Sequence, residues 1–477
     1  MAKDRSDEMQ AALDAQRAAF TAARPEELNA RRDRLKRLIA LLQDRGHALS
    51  DAMSADFGNR AETQSLLTDI GPTISLAKYC LSRLSHWAKP QKRGVQFPLG
   101  LLGAKAEVRF EPLGVIGIVS PWNFPVGLTF SPLAQAFAAG NRAMIKPSEL
   151  TPRTSDLMAE LIGNAYASDE CAVFTGGPDV AQAFTKLKFD HILFTGSTAT
   201  GRKVMQAAAD NLVPVTLELG GKSPVFVGSG ADLHRAGERI AMGKMMNAGQ
   251  ICLAPDYLCV PEERELDTIA EIAASASAMY PTLLDNSDYA SLVSDRHFER
   301  LQEMVADARD KGAEVLEVNP AQEDFGATNA RKMPLTILQN VSDDMLAMQE
   351  EIFGPVLPVK TYGRIEEAID YVNGCNRPLG LYYFGDDAGE REKVLGKTIS
   401  GGVTVNDVIY HVSADDLPFG GVGASGMGSY HGPEGFRTFS HARSVYTQPK
   451  LDVAGLAGLK PPYGEKAKKT IKRMAGI

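Results

Sequence analysis

From about Val108 onward, short apolar runs ended by turn residues alternate with longer stretches of helical spacing. "GVIGIVSP" (114–121), "AMIKPS" (143–148) and "HILFTGS" (191–197) read as buried strands. Between the first two, "LTFSPLAQAFAAGN" reads as a helix closed by Gly140 and Asn141. After the third, "TGRKVMQAAAD" has helical character, and "VTLELGG" (215–221) and "SPVFVG" (223–228) are strands again. "ISGGVTVND" (399–407) is a late strand. Strand and helix alternating at this spacing predict an α/β fold with a parallel, doubly wound sheet. The region before it looks helical. Leu28, Leu35, Leu38, Ile39 and Leu42 share one face behind the helix-start signal Arg24-Pro25-Glu26-Glu27.

The 477 residues exceed one ordinary core, so two or three domains are expected. A net charge of −8 argues against a nucleic-acid partner, which needs a basic face. No apolar run approaches the roughly 18–20 residues of a membrane span. The charged start "MAKDRSDEMQ" lacks a signal-peptide core, and a cytoplasmic location is expected. The basic stretch "EKAKKTIKR" (465–473) reads as a solvated end.

Five cysteines, Cys80, Cys171, Cys252, Cys259 and Cys375, are odd in number and widely spaced. That disfavours a disulfide framework, and no ligand-like pairing suggests zinc. Cys259 sits among aliphatics in "YLCV", as a buried structural cysteine does. Cys252 differs: Asn247, Ala248, Gly249 and Gln250 before it are small or polar and would leave room for a carbonyl. On local grounds, filler and nucleophile are equally open for it. A nucleophile would need oxyanion donors and a base. Asn123, between the prolines of "PWNFP", and the Cys252 N–H are candidate donors. Glu218, inside the apolar "LELGGK", is a candidate base with a raised pKa; the alternative is an ion pair with Lys222.

Two glycine loops compete for phosphate. "GVGASG" (421–426) matches G-x-G-x-x-G only formally, because no convincing strand precedes it. In "GSTATGRK" (196–203) the lysine is out of register for a nucleotide-triphosphate loop. What remains is a strand end at Gly196-Ser197 and a helix from about Thr198. This is either a pyrophosphate site or an ordinary turn. In "IKPSE", Lys146 and Glu149 at a strand end could hold ribose hydroxyls or form a surface ion pair. In "EEIFGP" (350–355), a second glutamate at a turn could bind a cofactor ribose.

Together "PWNFP", "IKPSE", "FTGSTATG", "LELGGKSP", "NAGQICLAPD", "EEIFGPVLPV" and "LPFGGVGASGMG" resemble the motifs of the aldehyde dehydrogenase superfamily, in that family's order, over about residues 28–463. "KMMNAGQICLAPDY", "NDVIYH", "GMGSYHGPEGFRTFSHARS" and "PPYGEK" resemble its class 3-like branch of dimeric fatty and aromatic aldehyde dehydrogenases. Within that branch the chain looks most like the bacterial coniferyl aldehyde dehydrogenases.

The resemblance implies an α/β fold with a Rossmann-like cofactor domain (1–95 and 112–217) and an α/β catalytic domain (218–435). It also implies small β bridging, or oligomerisation, strands (96–111 and 436–450) and a C-terminal tail (451–477). It implies that Cys252 attacks an aldehyde, Asn123 and the Cys252 N–H hold the oxyanion, and Glu218 activates water against the resulting thioester. It further implies NAD as cofactor, with NADP possible. Lys146 and Glu149 would hold the adenosine ribose, and Gly196, Ser197 and Gly201 the pyrophosphate. Glu351 would hold the nicotinamide ribose with Phe353 near the nicotinamide, and Trp122 would also bind the cofactor. A homodimer follows from the same likeness. Some relatives carry an apolar C-terminal anchor; "TIKRMAGI" is too short and too basic for one.

Glu218 argues against a CoA-acylating relative, and Cys252, Glu218 and Asn123 together argue against a non-catalytic structural homologue. A cofactor-free cysteine hydrolase would have no need of Lys146, Glu149 and Glu351. Glu149 favours NAD by repelling a 2′-phosphate. Tyr382, Tyr383, Tyr410 and His411 either line an aromatic substrate pocket or pack between domains.

Overall fold

Each apolar run becomes a strand near its expected place. The computed structural model describes residues 2–328 and 330–476, so Met1 and Ile477 at the ends of the expected domain ranges lie outside it. Val115–Val119, Arg142–Lys146, Cys171–Val173, His191–Gly196 and Val215–Leu219 form one parallel sheet. Across the sheet the order is Val215–Leu219, His191–Gly196, Val115–Val119, Arg142–Lys146, Cys171–Val173. The order therefore reverses between Val115–Val119 and His191–Gly196, and a crevice opens beyond the carboxyl ends of those two strands. A two-residue strand, Gly426–Met427, adds antiparallel to Val215–Leu219, with Gly426 opposite Glu218.

A second sheet of seven strands, also mostly parallel, runs from Glu314–Val318 at one edge to Gly402–Val405 at the other. Three of its interior strands, Tyr257–Pro261, Pro224–Val227 and Gly380–Phe384, are buried throughout. That is why they read as unbroken apolar runs rather than alternating ones. A third sheet is antiparallel: Gln91–Arg93, Lys105–Pro112 and Ser440–Thr447. Its strands are half-buried or exposed.

These strands differ in detail from the expected bridging segments. Residues 96–104 form turns and loop before the strand, and Phe436 lies in the helix Gly432–Thr438. The strand bearing Glu218 belongs to the first sheet through Leu219, and the chain returns to that sheet at 426.

The helix Leu28–Phe57 buries Leu35, Leu38, Ile39 and Leu42 as its spacing requires. The helix Gly127–Ala139 ends at Gly140, whose φ of 96° is a left-handed cap open to glycine. No described helix is long and apolar enough to cross a membrane.

Candidate active site

The cysteine loop is built by its backbone. Asn247 (φ 52°), Ala248 (φ 50°) and Gly249 (φ 73°) all take left-handed conformations. Such a run is strained for residues with a Cβ and persists only where the surroundings over-determine it. A Cβ on Gly249 would collide with the Gly354 carbonyl oxygen, so only glycine fits. Gln250 locks the turn. Its Nε2 donates to the carbonyls of Asn247 (2.9 Å) and Ser291 (3.1 Å), and its Oε1 accepts from the Val293 N–H (2.9 Å). The small and polar residues before Cys252 are thus fully buried and hold the loop's shape, rather than leaving room for a carbonyl as expected.

Cys252 is the half-buried residue that this turn delivers, whereas Cys80, Cys171 and Cys259 are buried and Cys375 is exposed. Its thiol is pushed up to about 12, first by burial and then by Glu351 and Glu218; the N–H groups of Cys252 and Leu253 act in the opposite sense. A lowered thiol pKa is the usual mark of a nucleophile. In the protein by itself the reverse holds, because the thiol is desolvated by its surroundings and faces carboxylates rather than a cation.

One cavity of about 200 Å³ lies at the crevice between the two sheets. Cys252, Glu218, Asn123, Trp122, Glu351 and Phe353 line it, together with Gly196 and Ser197. Lys146, Glu149 and Gly201 are outside its lining. Lys146 ends its strand with Nζ donating to the Pro147 carbonyl (2.6 Å) and to Glu149 (3.4 Å); Lys146 is buried and Glu149 is exposed. Gly201 sits where the helix Thr198–Ala209 packs on the sheet; a Cβ there would lie 2.6 Å from Leu219. Ser197 caps that helix, accepting from the Thr200 N–H at 3.3 Å.

Glu218 is 2% exposed and neither carboxylate oxygen has a hydrogen-bond partner. Burial holds its pKa well above the usual carboxylate range. The alternative reading, a pair with Lys222, does not form: Lys222 pairs with Asp256 and donates to the carbonyls of Ala347 (2.7 Å) and Glu350 (3.0 Å). Glu351 is raised to about 8 by burial and by Asp256, and its Oε1 is also unpartnered. Its loop is clamped by Arg300, which donates to the Glu351 and Ile352 carbonyls, and by Asp256, which accepts from the Ile352 N–H at 2.9 Å. Phe353, at φ 52°, is another strained residue in that loop.

Trp122 packs edge-on against Phe353 (5.4 Å) and His297 (5.0 Å). Thr195 and Leu219, inside "FTGSTATG" and "LELGGKSP" but not singled out there, also line the cavity, and so does His297, which no motif announces. A lone histidine in an amphipathic helix gives no signal in sequence. Tyr382 and Tyr383 are fully buried, with hydroxyls donating to the Leu253 carbonyl (2.5 Å) and to Glu390 (2.9 Å). They pack the core, Tyr410 is exposed, and none of the four aromatic candidates reaches this cavity.

A thiol, an unpaired buried carboxylate and a carboxamide therefore converge beside a helix N-terminus at the point of strand-order reversal. The sequence pattern of the aldehyde dehydrogenase family matches residues 1–445. The chain belongs to the aldehyde dehydrogenase family. It is 52% identical to a probable coniferyl aldehyde dehydrogenase of Caulobacter vibrioides, over 96% of this chain and 94% of that one. It is 51% identical to the coniferyl aldehyde dehydrogenase of a Pseudomonas species, over 96% and 95%. Among solved structures, the substrate-bound state of Staphylococcus aureus AldH matches with a TM-score of 0.89 and 36% identity, covering 97% of this chain and 98% of that chain. A Mycobacterium tuberculosis aldehyde dehydrogenase complexed with NAD+ matches with a TM-score of 0.84 and 27% identity, over 94% and 91%.

In this aldehyde dehydrogenase both carboxylate oxygens of Glu218 and Oε1 of Glu351 are buried without a hydrogen-bond partner. A Cβ on Gly220 would collide with the Glu351 carboxylate, so that glycine keeps the carboxylate's place open.

Proposed function

We propose that this aldehyde dehydrogenase oxidises aromatic aldehydes, coniferaldehyde among them, to carboxylic acids. The observation that carries the reading is the shared cavity. It holds the half-buried cysteine together with a buried carboxylate that has no structural partner to satisfy. Cys252 passes its thiol proton to ionised Glu218 as Sγ adds to the aldehyde carbon, and the oxyanion so formed takes the Asn123 amide and the Cys252 N–H. When bound, NAD supplies the hydride acceptor that turns this adduct into a thioester. Glu218, once ionised, takes a proton from water as the water oxygen attacks the thioester carbon. The carbon–sulfur bond then breaks to release the acid and restore Cys252.

Lys146 and Glu149 would hold the adenosine ribose, and Ser197 with the helix N-terminus above Gly201 would hold the pyrophosphate. Glu351 would hold the nicotinamide ribose, with Trp122 and Phe353 as walls. The Glu149 carboxylate favours NAD while leaving NADP admissible. The aromatic preference is supported by what the two bacterial relatives are named for. A homodimer is supported by the exposed antiparallel sheet ending in Ser440–Thr447. A cytoplasmic setting is supported by the five unbridged cysteines.

The test is cofactor reduction by the purified protein with coniferaldehyde, benzaldehyde, hexanal and a long-chain aldehyde, each with NAD and NADP, beside Cys252→Ala. Coniferaldehyde should lead in kcat/KM, and the variant should be silent. An aliphatic aldehyde leading by about tenfold, ~1.4 kcal/mol at the transition state, replaces the aromatic reading. An active Cys252→Ala removes the mechanism.

A further inference from the structure

Asn123 lies in the middle of the connection between the strand Val115–Val119 and the helix Gly127–Ala139, a segment that has no sheet partner of its own. Its position is set from outside by a fully buried ion pair. Arg60 Nη2 lies 2.5 Å from Asp69 Oδ2, and both side chains are 0% exposed. Arg60 Nη1 donates to the Asn123 backbone carbonyl at 2.9 Å. Asp69 Oδ1 accepts from the N–H groups of Val126 (3.2 Å) and Gly127 (2.8 Å), at the far end of the same segment. The guanidinium is held between the rings of Phe57 (5.1 Å) and Phe124 (5.2 Å).

A second arm reaches the cysteine loop. The Asn123 carbonyl also accepts from Asn247 Nδ2 at 3.2 Å, and Gln64 grips Asn247 twice, at 3.1 Å to its N–H and 3.1 Å to its Oδ1. The Asn123 amide nitrogen in turn donates to the Gln250 carbonyl at 3.1 Å, two residues before Cys252. Residues 60, 64 and 69, from the N-terminal helical layer, thus tie the carboxamide and the thiol loop into one frame. A buried ion pair is a poor way to gain stability, since apolar replacements of similar volume often serve as well.

We propose that Arg60 and Asp69 are positioning residues for the oxyanion: they fix the Asn123 backbone so that its amide stands where negative charge develops. The inference rests on the oxyanion role of Asn123 given above. Displacing such a group by about 1 Å can cost about a hundredfold, and losing one donor about 10²–10³-fold.

The experiment is a double-mutant cycle in the full-length enzyme. Asn123→Ala is made first and must lower kcat; if it does not, the oxyanion assignment fails, and that failure is separate from this one. Arg60→Met with Asp69→Leu removes both charges together, so neither is stranded, and Arg60→Lys keeps the charge while shortening the fork. Each is made in the parent and in Asn123→Ala. In the parent, the charge-free pair should lower kcat about 10- to 100-fold, with KM for NAD and the rate of Cys252 alkylation by iodoacetamide within about twofold. In the Asn123→Ala background the same change should cost less than about twofold, because the group it acts through is gone. Arg60→Lys should recover part of the loss. Equal losses in the two backgrounds, or a folded charge-free variant with parental kcat, would overturn the proposal. If the charge-free variant does not fold, the cycle with Arg60→Lys alone decides by the same criterion.

Discussion

The sharpest expectation concerns the resting thiol. A group held at about 12 is ionised to about one part in 10⁵ at pH 7, against about three per cent for an ordinary cysteine near 8.5. Thiolate nucleophilicity rises by roughly 0.4–0.5 log unit per pK unit, so a deficit of about 3,000-fold in thiolate becomes about a hundredfold in rate. Ligand-free enzyme, in a Cys375→Ser background that removes the exposed competitor, should therefore react with iodoacetamide about ten- to a hundredfold more slowly than a free thiol, nearer tenfold at pH 7 where Glu351 is mostly neutral. The logarithm of the rate should climb with pH without levelling off before about pH 10.

Glu351 makes the expectation more specific. Held near 8, it is mostly neutral at pH 7 and ionised above 8, where its charge opposes the thiolate. One unit charge at ~6 Å in an effective dielectric of ~20 is worth ~3 kcal/mol, or about two pK units. Glu351→Gln should thus leave alkylation unchanged at pH 7 and speed it about tenfold at pH 9.5, after the nucleophilicity offset. A rate plateau below about pH 9, or an equal gain at both pH values, refutes this account of the cavity's electrostatics.

Glu218→Gln should lower kcat by about 10²–10⁴-fold and leave an acyl adduct on Cys252, visible by intact-protein mass spectrometry; unmodified enzyme at steady state would assign the base elsewhere. Because burial raises Glu218 and its ionised form is the base, kcat should rise with pH in the parent and flatten in that variant. Glu149→Gln should raise the ratio of kcat/KM with NADP to that with NAD; an unchanged ratio removes its discriminating role. Glu351 also links stability to pH. The folded protein keeps this proton up to about 8 while the unfolded chain releases it near 4.5, so stability falls as pH rises through that window. Urea titrations of Glu351→Gln should show a shallower fall, and identical pH slopes would count against it.

What could be read from the chain alone was whatever is encoded locally. Strands buried on both faces announce themselves as apolar runs, and the helix before Gly140 carries its own stop signal. Cys252, Glu218 and Asn123 each stand out against their neighbours in type. What could not be read depends on partners distant in sequence. Nothing near Lys222 says that it pairs with Asp256 rather than Glu218, and nothing near Arg60 points to Asn123. The tyrosines at 382 and 383 have the composition of a pocket wall, but sit in an interior strand that is buried throughout. The sign of the thiol's shift was hidden too, because burial outweighs any local feature of "NAGQICLAPD".

The short strand at Gly426–Met427 has a consequence for how the protein is made. Until it arrives, Val215–Leu219 is the open edge of the first sheet, with Glu218 on it. At about 5–20 residues per second, the roughly two hundred intervening residues take about 10–40 s to leave the ribosome. For that interval the nascent chain holds an unpaired, largely apolar edge available to any other strand. The strand that carries Glu218 is then among the last parts of its sheet to be closed, and a ribosome stalled before residue 426 leaves that edge open.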